Sequence, residues 1–319
     1  MSSPTQPAAD YIGVDVSGVT LRAALVAHDG RVTERREAAL ERDNVAVQVA
    51  RVAAELRDVS PRVAALGVGI PGLVNRETDC VIVSADLPSV VRSDLHAELR
   101  RATGLRVELE NDANAAAYGE YSVGAGCGSR NMFYVTIGSG IGGALILDGR
   151  VWLGTSGFAG EFGHITIDPE GNECSCGNTG CLETYASAPN IVRRTHDRLF
   201  RDGTSSLSRL SMNRDFTAAD IAREARNGDD FALLMIERTG RFIGTAVAAV
   251  INLLNIECIV MGGGVMEAGD LILDPIIREA GRRSFQPSFE SAKIVTATLG
   301  GDAVSVGAAL LARDSAAPA

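Results

Sequence analysis

Two stretches of the chain share a pattern that restricts the possible folds. Residues 14–25 read VDVSGVTLRAAL and residues 135–146 read VTIGSGIGGALI. Each is an apolar run, a glycine-bearing turn and a second apolar run, the signature of strand, turn and strand. Identities between the two are few. A strand–turn–strand unit met twice still implies two related lobes rather than one domain. The length of 319 residues agrees, at roughly 100–200 residues per domain, and leaves room for a large core.

Each hairpin is followed by alternating helical and strand patterns. Val and Ala recur at helical spacing over residues 45–57, and VAALGVGIPG (63–72) reads as a buried strand running into a Gly/Pro loop. Residues 93–104 read as a helix capped by Ser93 and stopped by Gly104. Residues 105–124 read as a short strand, a polar turn and an Ala-rich helix. In the second half, residues 202–215 read as a polar loop. Thr217 with Asp220 reads as a helix start with an acidic capping partner. A long helix is expected over 230–254, a buried strand over 256–265 ending in three glycines, then a helix, a strand, a Gly-Gly-Asp loop and a final apolar helix. The class is therefore α/β, in two lobes with a cleft between them.

Composition excludes several functions. Hydrophobic residues are 46% and charged residues 22%, ordinary for a globular protein. No apolar run approaches the eighteen residues of a membrane span. The net charge of −10 argues against a nucleic-acid partner, which needs a basic face. The opening MSSPTQPAAD has neither a basic nor an apolar signal region and reads as a short disordered tail over residues 1–9. Without an export signal the expected compartment is the cytoplasm, where thiols stay reduced and clustered cysteines more often bind metal than pair.

Three of the six cysteines and one of the four histidines lie within GHITIDPEGNECSCGNTGCLE (163–183). His164, Cys174, Cys176 and Cys181 offer one imidazole and three thiolates, a closed tetrahedral shell for structural zinc. Gly177 and Gly180 let the chain turn back toward such an ion. A redox pair needs C-x-x-C, and here the spacing is C-x-C. The remaining cysteines, Cys80, Cys127 and Cys258, stand among apolar or small residues and read as core fillers. With no coordination position left for water, the zinc is expected to fix a loop that carries Glu161, His164 and Glu183.

Glycine is 35 of 319 residues, about 11% against an average near 7%. The excess gathers at strand ends, in 67–72, 138–143, 262–264 and 300–301. Such loops bring backbone N–H groups close to an anion. Neither a P-loop nor a dinucleotide fingerprint is present. Asp15 ends the first strand and either holds a magnesium-bound water or closes an Asx-turn. Asp112 lies in Glu110-Asn111-Asp112-Ala113-Asn114. One residue of this run can serve as an N-cap; the rest point to chemistry.

These motifs together resemble the ROK family of sugar kinases, within the actin-like ATPase and hexokinase superfamily (a ribonuclease H-like fold). The resemblance runs from Tyr11 to about Ala312. It is carried by GEFGHI (160–165), CSCGNTGCLE (174–183), ENDANAAA (110–117), TIGSGIGG (136–143) and GIPG (69–72). The form CxCGxxGC is similar to the glucokinase branch. The resemblance implies a small lobe of 10–113 joined by the C-terminal helix (about 303–319), and a large lobe of 114–302 bearing the zinc loop. It implies Asp112 as catalytic base, and Gly72, Asp86, Asn111, Asp112, Glu161, His164 and Glu183 as sugar contacts. Asp15, Ser17, Gly18, Gly138, Ser139, Gly140, Gly142, Gly262, Gly263 and Gly264 would line the nucleotide. ATP, Mg2+ and structural Zn2+ are the implied cofactors, with sugar and nucleotide as ligands and a homodimer or homotetramer as assembly.

Two segments depart from the family pattern. Its first phosphate loop, D-x-G-G-T-K, is here Asp15-Val16-Ser17-Gly18-Val19-Thr20. Its N-L-P-G-W segment is here Asp86-Leu87-Pro88-Ser89-Val90. The implied reaction is phosphorylation of a hexose, foremost glucose, by ATP. The alternative is a non-catalytic sugar sensor related to ROK repressors. Those carry an N-terminal helix-turn-helix, for which the ten or so residues before the first strand leave no room.

Overall fold

The computed structural model describes residues 9–75, 78–84, 86–200, 203–212 and 215–315. The expected tail, apart from Ala9, lies outside them. The chain begins with β1 (Asp10–Asp15), β2 (Thr20–Ala27), β3 (Val32–Ala39), α1 (Val45–Val59) and β4 (Val63–Ile70). It continues through β5 (Leu73–Asn75), β6 (Cys80–Val83), α2 (Leu95–Thr103), β7 (Arg106–Asn111) and α3 (Asp112–Val123). Then come β8 (Met132–Ile137), β9 (Ile141–Leu147), β10 (Arg150–Val151), α4 (Glu183–Ala186), α5 (Ala188–Leu199), α6 (Ser206–Ser211) and α7 (Ala218–Arg226). Last are α8 (Asp230–Leu254), β11 (Cys258–Gly262), α9 (Asp270–Arg283), α10 (Gln286–Glu290), β12 (Lys293–Thr296) and α11 (Ala303–Asp314).

The chain divides into two compact units. The first comprises Met1–Gly128, Leu145–Ala159 and Thr298–Ala319, the second Ser129–Ala144 and Gly160–Ala297. In the first, one sheet runs β3-β2-β1-β4-β7. The β1–β2–β3 meander is antiparallel, while β1, β4 and β7 are parallel. Both faces are covered, as such parallel strands require. Ile12, Val14, Leu66 and Val68 pack with Val49, Val52 and Leu56 of α1 and Leu95 and Leu99 of α2. Tyr11, Ala24, Val26 and Ala65 pack with Val306, Ala309 and Leu310 of α11. On that face glycine permits close approach. A Cβ at Gly13 would stand 1.7 Å from the carbonyl oxygen of Ser305, and one at Gly67 1.9 Å from that of Ala308.

A second five-stranded sheet runs β10-β9-β8-β11-β12, with β8, β11 and β12 parallel. The expected helix over 230–254 is α8, which packs along α9. The capping box of α7 forms as expected. The Thr217 side chain accepts from the Asp220 N–H at 3.2 Å, and the Asp220 carboxylate accepts from the Thr217 N–H at 2.9 Å.

Four expectations need correction. The supposed polar loop contains α6, because the Asp229 carboxylate accepts from Ser206 N–H (2.6 Å) and the Ser205 hydroxyl (2.8 Å) at the helix start. Ser93 caps nothing. Its hydroxyl donates to the Val90 carbonyl at 2.8 Å, and α2 begins two residues later. No turn separates β7 from α3: Asn111 ends the strand and caps the helix, accepting from Asn114 N–H at 3.1 Å. Cys258 is buried and Cys80 partly so, but Cys127 is exposed and fills no core.

Candidate active site

In the first unit the sequence-predicted acids meet at the C-terminal edge of the parallel strands. Register places Asp15 beside Gly69 and Gly69 beside Glu110. Where β7 passes into α3, Asp112 becomes the first helical residue. Its Oδ1 accepts from Ala113 N–H at 2.9 Å and from Asn111 Nδ2 at 3.1 Å. Asn111 Nδ2 also donates to the Gly72 carbonyl at 2.8 Å. Gly72 has φ 121°, and a Cβ there would stand 2.0 Å from the Val83 carbonyl oxygen, so only glycine fits.

Burial pushes the Asp112 carboxyl up to about 7, helped by the negative charges of Asp15 and Asp86 and opposed by the Ala113 N–H. Asp15 is also held above the usual aspartate range, by burial, against the Ser17 hydrogen bonds and the Arg22 charge. Its Oδ1 accepts from Ser17 N–H (2.8 Å) and Ser17 Oγ (2.5 Å). That is an Asx-type turn, and it leaves Oδ2 available to a magnesium-bound water, so the residue fits both sequence readings. Gly18 has φ 76° with open space where a Cβ would point, and Val19 is 75% exposed.

Two residues of this edge escaped sequence reasoning. Glu110 is buried and accepts from Asn111 N–H at 2.8 Å and Asn114 Nδ2 at 3.0 Å, holding the polar run in shape. Its place in that run was the available signal. Arg42, on the loop after β3, donates to the Gly18 carbonyl at 3.3 Å and the Asp86 carbonyl at 3.2 Å. Nothing in the sequence near Arg42 marks it.

In the second unit His164, Cys174, Cys176 and Cys181 converge, with one ligand atom from each lying within 4.8 Å of all the others. His164 Nδ1 is 3.6 Å from Cys174 Sγ, and Cys176 Sγ is 3.7 Å from Cys181 Sγ. Tetrahedral bonds of about 2.3 Å to sulfur and about 2.0 Å to nitrogen separate ligands by about 3.5–3.8 Å. The four donors therefore fit a zinc ion. The other ring nitrogen, Nε2, is 3.8 Å from a Glu161 oxygen, beyond hydrogen-bond distance but on the same side of the loop. Without an ion, burial and the neighbouring sulfurs push the Cys181 thiol up to about 12.

Glu183, just after the loop, accepts from Ile141 N–H at 2.8 Å, which ties it to the Gly138–Gly143 turn. Gly138 and Ser139 border open space and solvent, while a Cβ at Gly140 would come within 2.8 Å of Glu183 Oε2. Gly142 is half-buried in β9. At the end of β11 the glycines differ. A Cβ at Gly262 would meet the Tyr134 hydroxyl at 2.6 Å and one at Gly263 the Ile137 backbone at 2.4 Å, whereas Gly264 borders open space.

Comparison with known proteins gives one answer. The ROK family model matches residues 11–315. The glucokinase of Halalkalibacterium halodurans is 35% identical across 95% of this chain and 94% of that protein. That of Thermotoga maritima is 34% identical across 97% and 98%. A ROK family glucokinase from Streptomyces griseus, solved in complex with glucose and AMPPNP, superposes with a TM-score of 0.84 at 32% identity, covering 96% of this chain and 99% of that one. A ROK transcriptional regulator, a homologue of the E. coli MLC protein, also gives 0.84, at 31% identity over 95% of this chain and 78% of that one. The α/β architecture expected from the sequence is thus the actin-like ATPase fold. With that fold and a family match over nearly its whole length, the chain belongs to the ROK family.

Proposed function

We propose that the chain is an ATP-dependent hexose kinase that converts glucose to glucose 6-phosphate. Glucokinase relatives matched along almost the full length support the reaction class. ROK regulators share the same body, so the fold by itself does not separate a kinase from a sensor. The observation that carries the kinase reading is that the glucokinase relatives match over 94% and 98% of their own length at 35% and 34% identity. Asp112 at the edge of the parallel sheet, raised by burial to about 7, agrees with it, since a general base works best with a pKa near the operating pH. Among the described residues no helix is long and apolar enough to cross a membrane.

In the proposed reaction a sugar hydroxyl oxygen attacks the γ-phosphorus and its proton passes to Asp112. The bond to the β–γ bridging oxygen breaks, and ADP leaves with that electron pair. Asn111, pinned between Gly72 and Asp112, fixes the carboxylate for that transfer. Gly18 and the Gly138–Gly142 turn would offer backbone N–H groups to phosphate oxygens, while Ser17, whose N–H and hydroxyl both donate to Asp15, holds that carboxylate in place. Asp15 would hold magnesium through water, and the ion, when bound, offsets phosphate charge. Zinc would be structural. By holding His164 through Nδ1 it leaves Nε2 and Glu161 in one orientation for sugar hydroxyls, and Glu183, braced by Ile141 N–H, supplies another acceptor.

The test is release of ADP from Mg-ATP across a panel of glucose, mannose and N-acetyl hexosamines. Glucose should give the highest kcat/KM. No ADP with any sugar, despite measurable sugar binding, would make the sensor reading the better one.

A further inference from the structure

Arg42 lies outside every motif, yet two other loops of the first unit meet on it. One Nη donates to the Gly18 carbonyl at 3.3 Å and the other to the Asp86 carbonyl at 3.2 Å. Its own carbonyl accepts from the Ser89 hydroxyl at 2.5 Å. Gly18 belongs to the turn proposed to receive phosphate, and Asp86 and Ser89 to the segment proposed to meet the sugar. Gly18, Asp86 and Ser89 all belong to the two segments in which this chain departs from the family pattern, so the departures converge on one side chain.

The chemistry suits a bridge. A guanidinium presents its N–H groups in a rigid planar fork and can hold two carbonyls on separate loops at once; an ammonium is a flexible point charge. Both partners are backbone carbonyls, which leaves the remaining N–H groups of the fork free of those two bonds. The loop 16–19 is tied at its ends, Val16 N–H donating to the Gly69 carbonyl at 3.1 Å and Leu40 N–H to the Val19 carbonyl at 2.9 Å; between them Gly18 has open space beside it, and its carbonyl is held by Arg42. An order imposed on Asp86 by sugar therefore has a direct route to Gly18, and an order imposed on Gly18 by phosphate a route back.

We propose that Arg42 is a positioning residue that couples sugar binding to nucleotide binding by bridging the Gly18 and Asp86 loops. The inference rests on the sugar and phosphate assignments above. By linkage, a nucleotide that orders Gly18 must tighten sugar, and sugar must tighten nucleotide by the same factor.

The experiment measures glucose affinity calorimetrically, with and without Mg2+ and AMPPNP, in the wild type, Arg42→Ala, Arg42→Lys and Ser89→Ala. Wild type should bind glucose about tenfold tighter with nucleotide present, the scale of one charge-assisted hydrogen bond. Arg42→Ala and Arg42→Lys should both lose that factor. Their glucose affinity without nucleotide should change less than about threefold, since the guanidinium of Arg42 is engaged with the Gly18 and Asp86 carbonyls. Ser89→Ala, which frees only the Arg42 backbone, should lose part of the factor. Coupling retained in Arg42→Ala, or restored in full by Arg42→Lys, would overturn the bridge, as would a wild type with no coupling. ADP release by the same wild-type preparation keeps the two readings distinct. Turnover without coupling removes Arg42 alone, whereas glucose binding without turnover removes the kinase reading.

Discussion

The carboxylates of the first unit stand on the ends of hydrogen-bonded strands, whereas the donors of the zinc loop stand on a segment with almost no regular structure. Asp15 and Asp112 are set by the register of β1, β4 and β7 and by the start of α3. Residues 165–182 have only two isolated bridges, Thr166 with Cys181 and Glu173 with Thr179. Here glycine and side-chain donors take the place of a ladder. Gly180 has φ 76°, and a Cβ there would stand 1.6 Å from the Asp168 carbonyl oxygen. One region keeps its geometry through backbone pairing whatever is bound, so its side chains can be charged and strained. In the proposed reading the other would depend on ligation, where binding energy is folding energy.

The largest effect should separate chemistry from structure in the first region. Asp112→Asn keeps a hydrogen bond to a hydroxyl but cannot take its proton, so kcat should fall by about 10²–10⁴-fold while sugar still binds. The fold should not suffer. The native carboxyl titrates near 7 against 3.8 for an ordinary aspartate, so the folded state holds a proton that the unfolded chain releases between those values. Stability due to the neutral form is lost as pH rises through that window. The neutral amide avoids this loss, so at pH 8 thermal unfolding should show the variant at least as stable as the parent. A less stable variant would contradict a carboxylate made costly by burial.

In the second region structure and function should fail together. Cys176→Ser should lose the metal from an otherwise one-zinc protein and raise hydrogen exchange across 163–183. With Glu161 and His164 released, kcat/KM should drop on the order of 10²-fold, the scale of a misplaced contact. Exchange in β1, β4 and β7 should be unchanged. Loss of protection there as well would mean that the two regions are not independently held.

A third measurement sharpens the electrostatics. On the acid side kcat/KM should fall about tenfold per pH unit below the Asp112 pKa, because the base must be deprotonated. Asp15 is one of the charges that raise it. A magnesium ion at Asp15 would offset that charge, so the pKa seen in kcat at saturating Mg-ATP should lie below that in kcat/KM. An unchanged value would move magnesium away from Asp15. The smallest effect concerns the first phosphate loop. Ser17→Gly with Val19→Thr and Thr20→Lys should lower the KM for ATP by up to about tenfold and leave that for sugar nearly unchanged. A shift in sugar preference instead would misplace the phosphates.

What could be read from the chain was what local chemistry dictates. Apolar runs and helical spacing gave β1, β2, β4 and α8 closely, because strands covered on both faces read as continuous apolar stretches and a helix buries one face with its own period. The convergence of Cys174, Cys176, Cys181 and His164 was legible because a metal-binding pattern needs few residue types at short spacing. Thr217 and Asp220 named a helix start because a capping box is closed within four residues.

What only the tertiary structure decided was every feature whose partner is distant in the chain. α6 starts at Ser205, whose hydroxyl accepts from Leu207 N–H, and the distant Asp229 fixes that start by receiving the Ser206 N–H. Glu120 looks like one more helical acid, yet it is fully buried and accepts from Thr298 and Leu299 N–H groups at 2.8 and 2.7 Å, locking α3 to the start of the C-terminal segment. Arg42 is ordinary until the Gly18 and Asp86 carbonyls reach it. The raised pKa of Asp112 needs burial together with two carboxylates, Asp15 and Asp86, from other parts of the chain. Hydrogen bonds and charges act through a few ångströms of space, and a sequence reports that distance only where the chain itself is short between the partners.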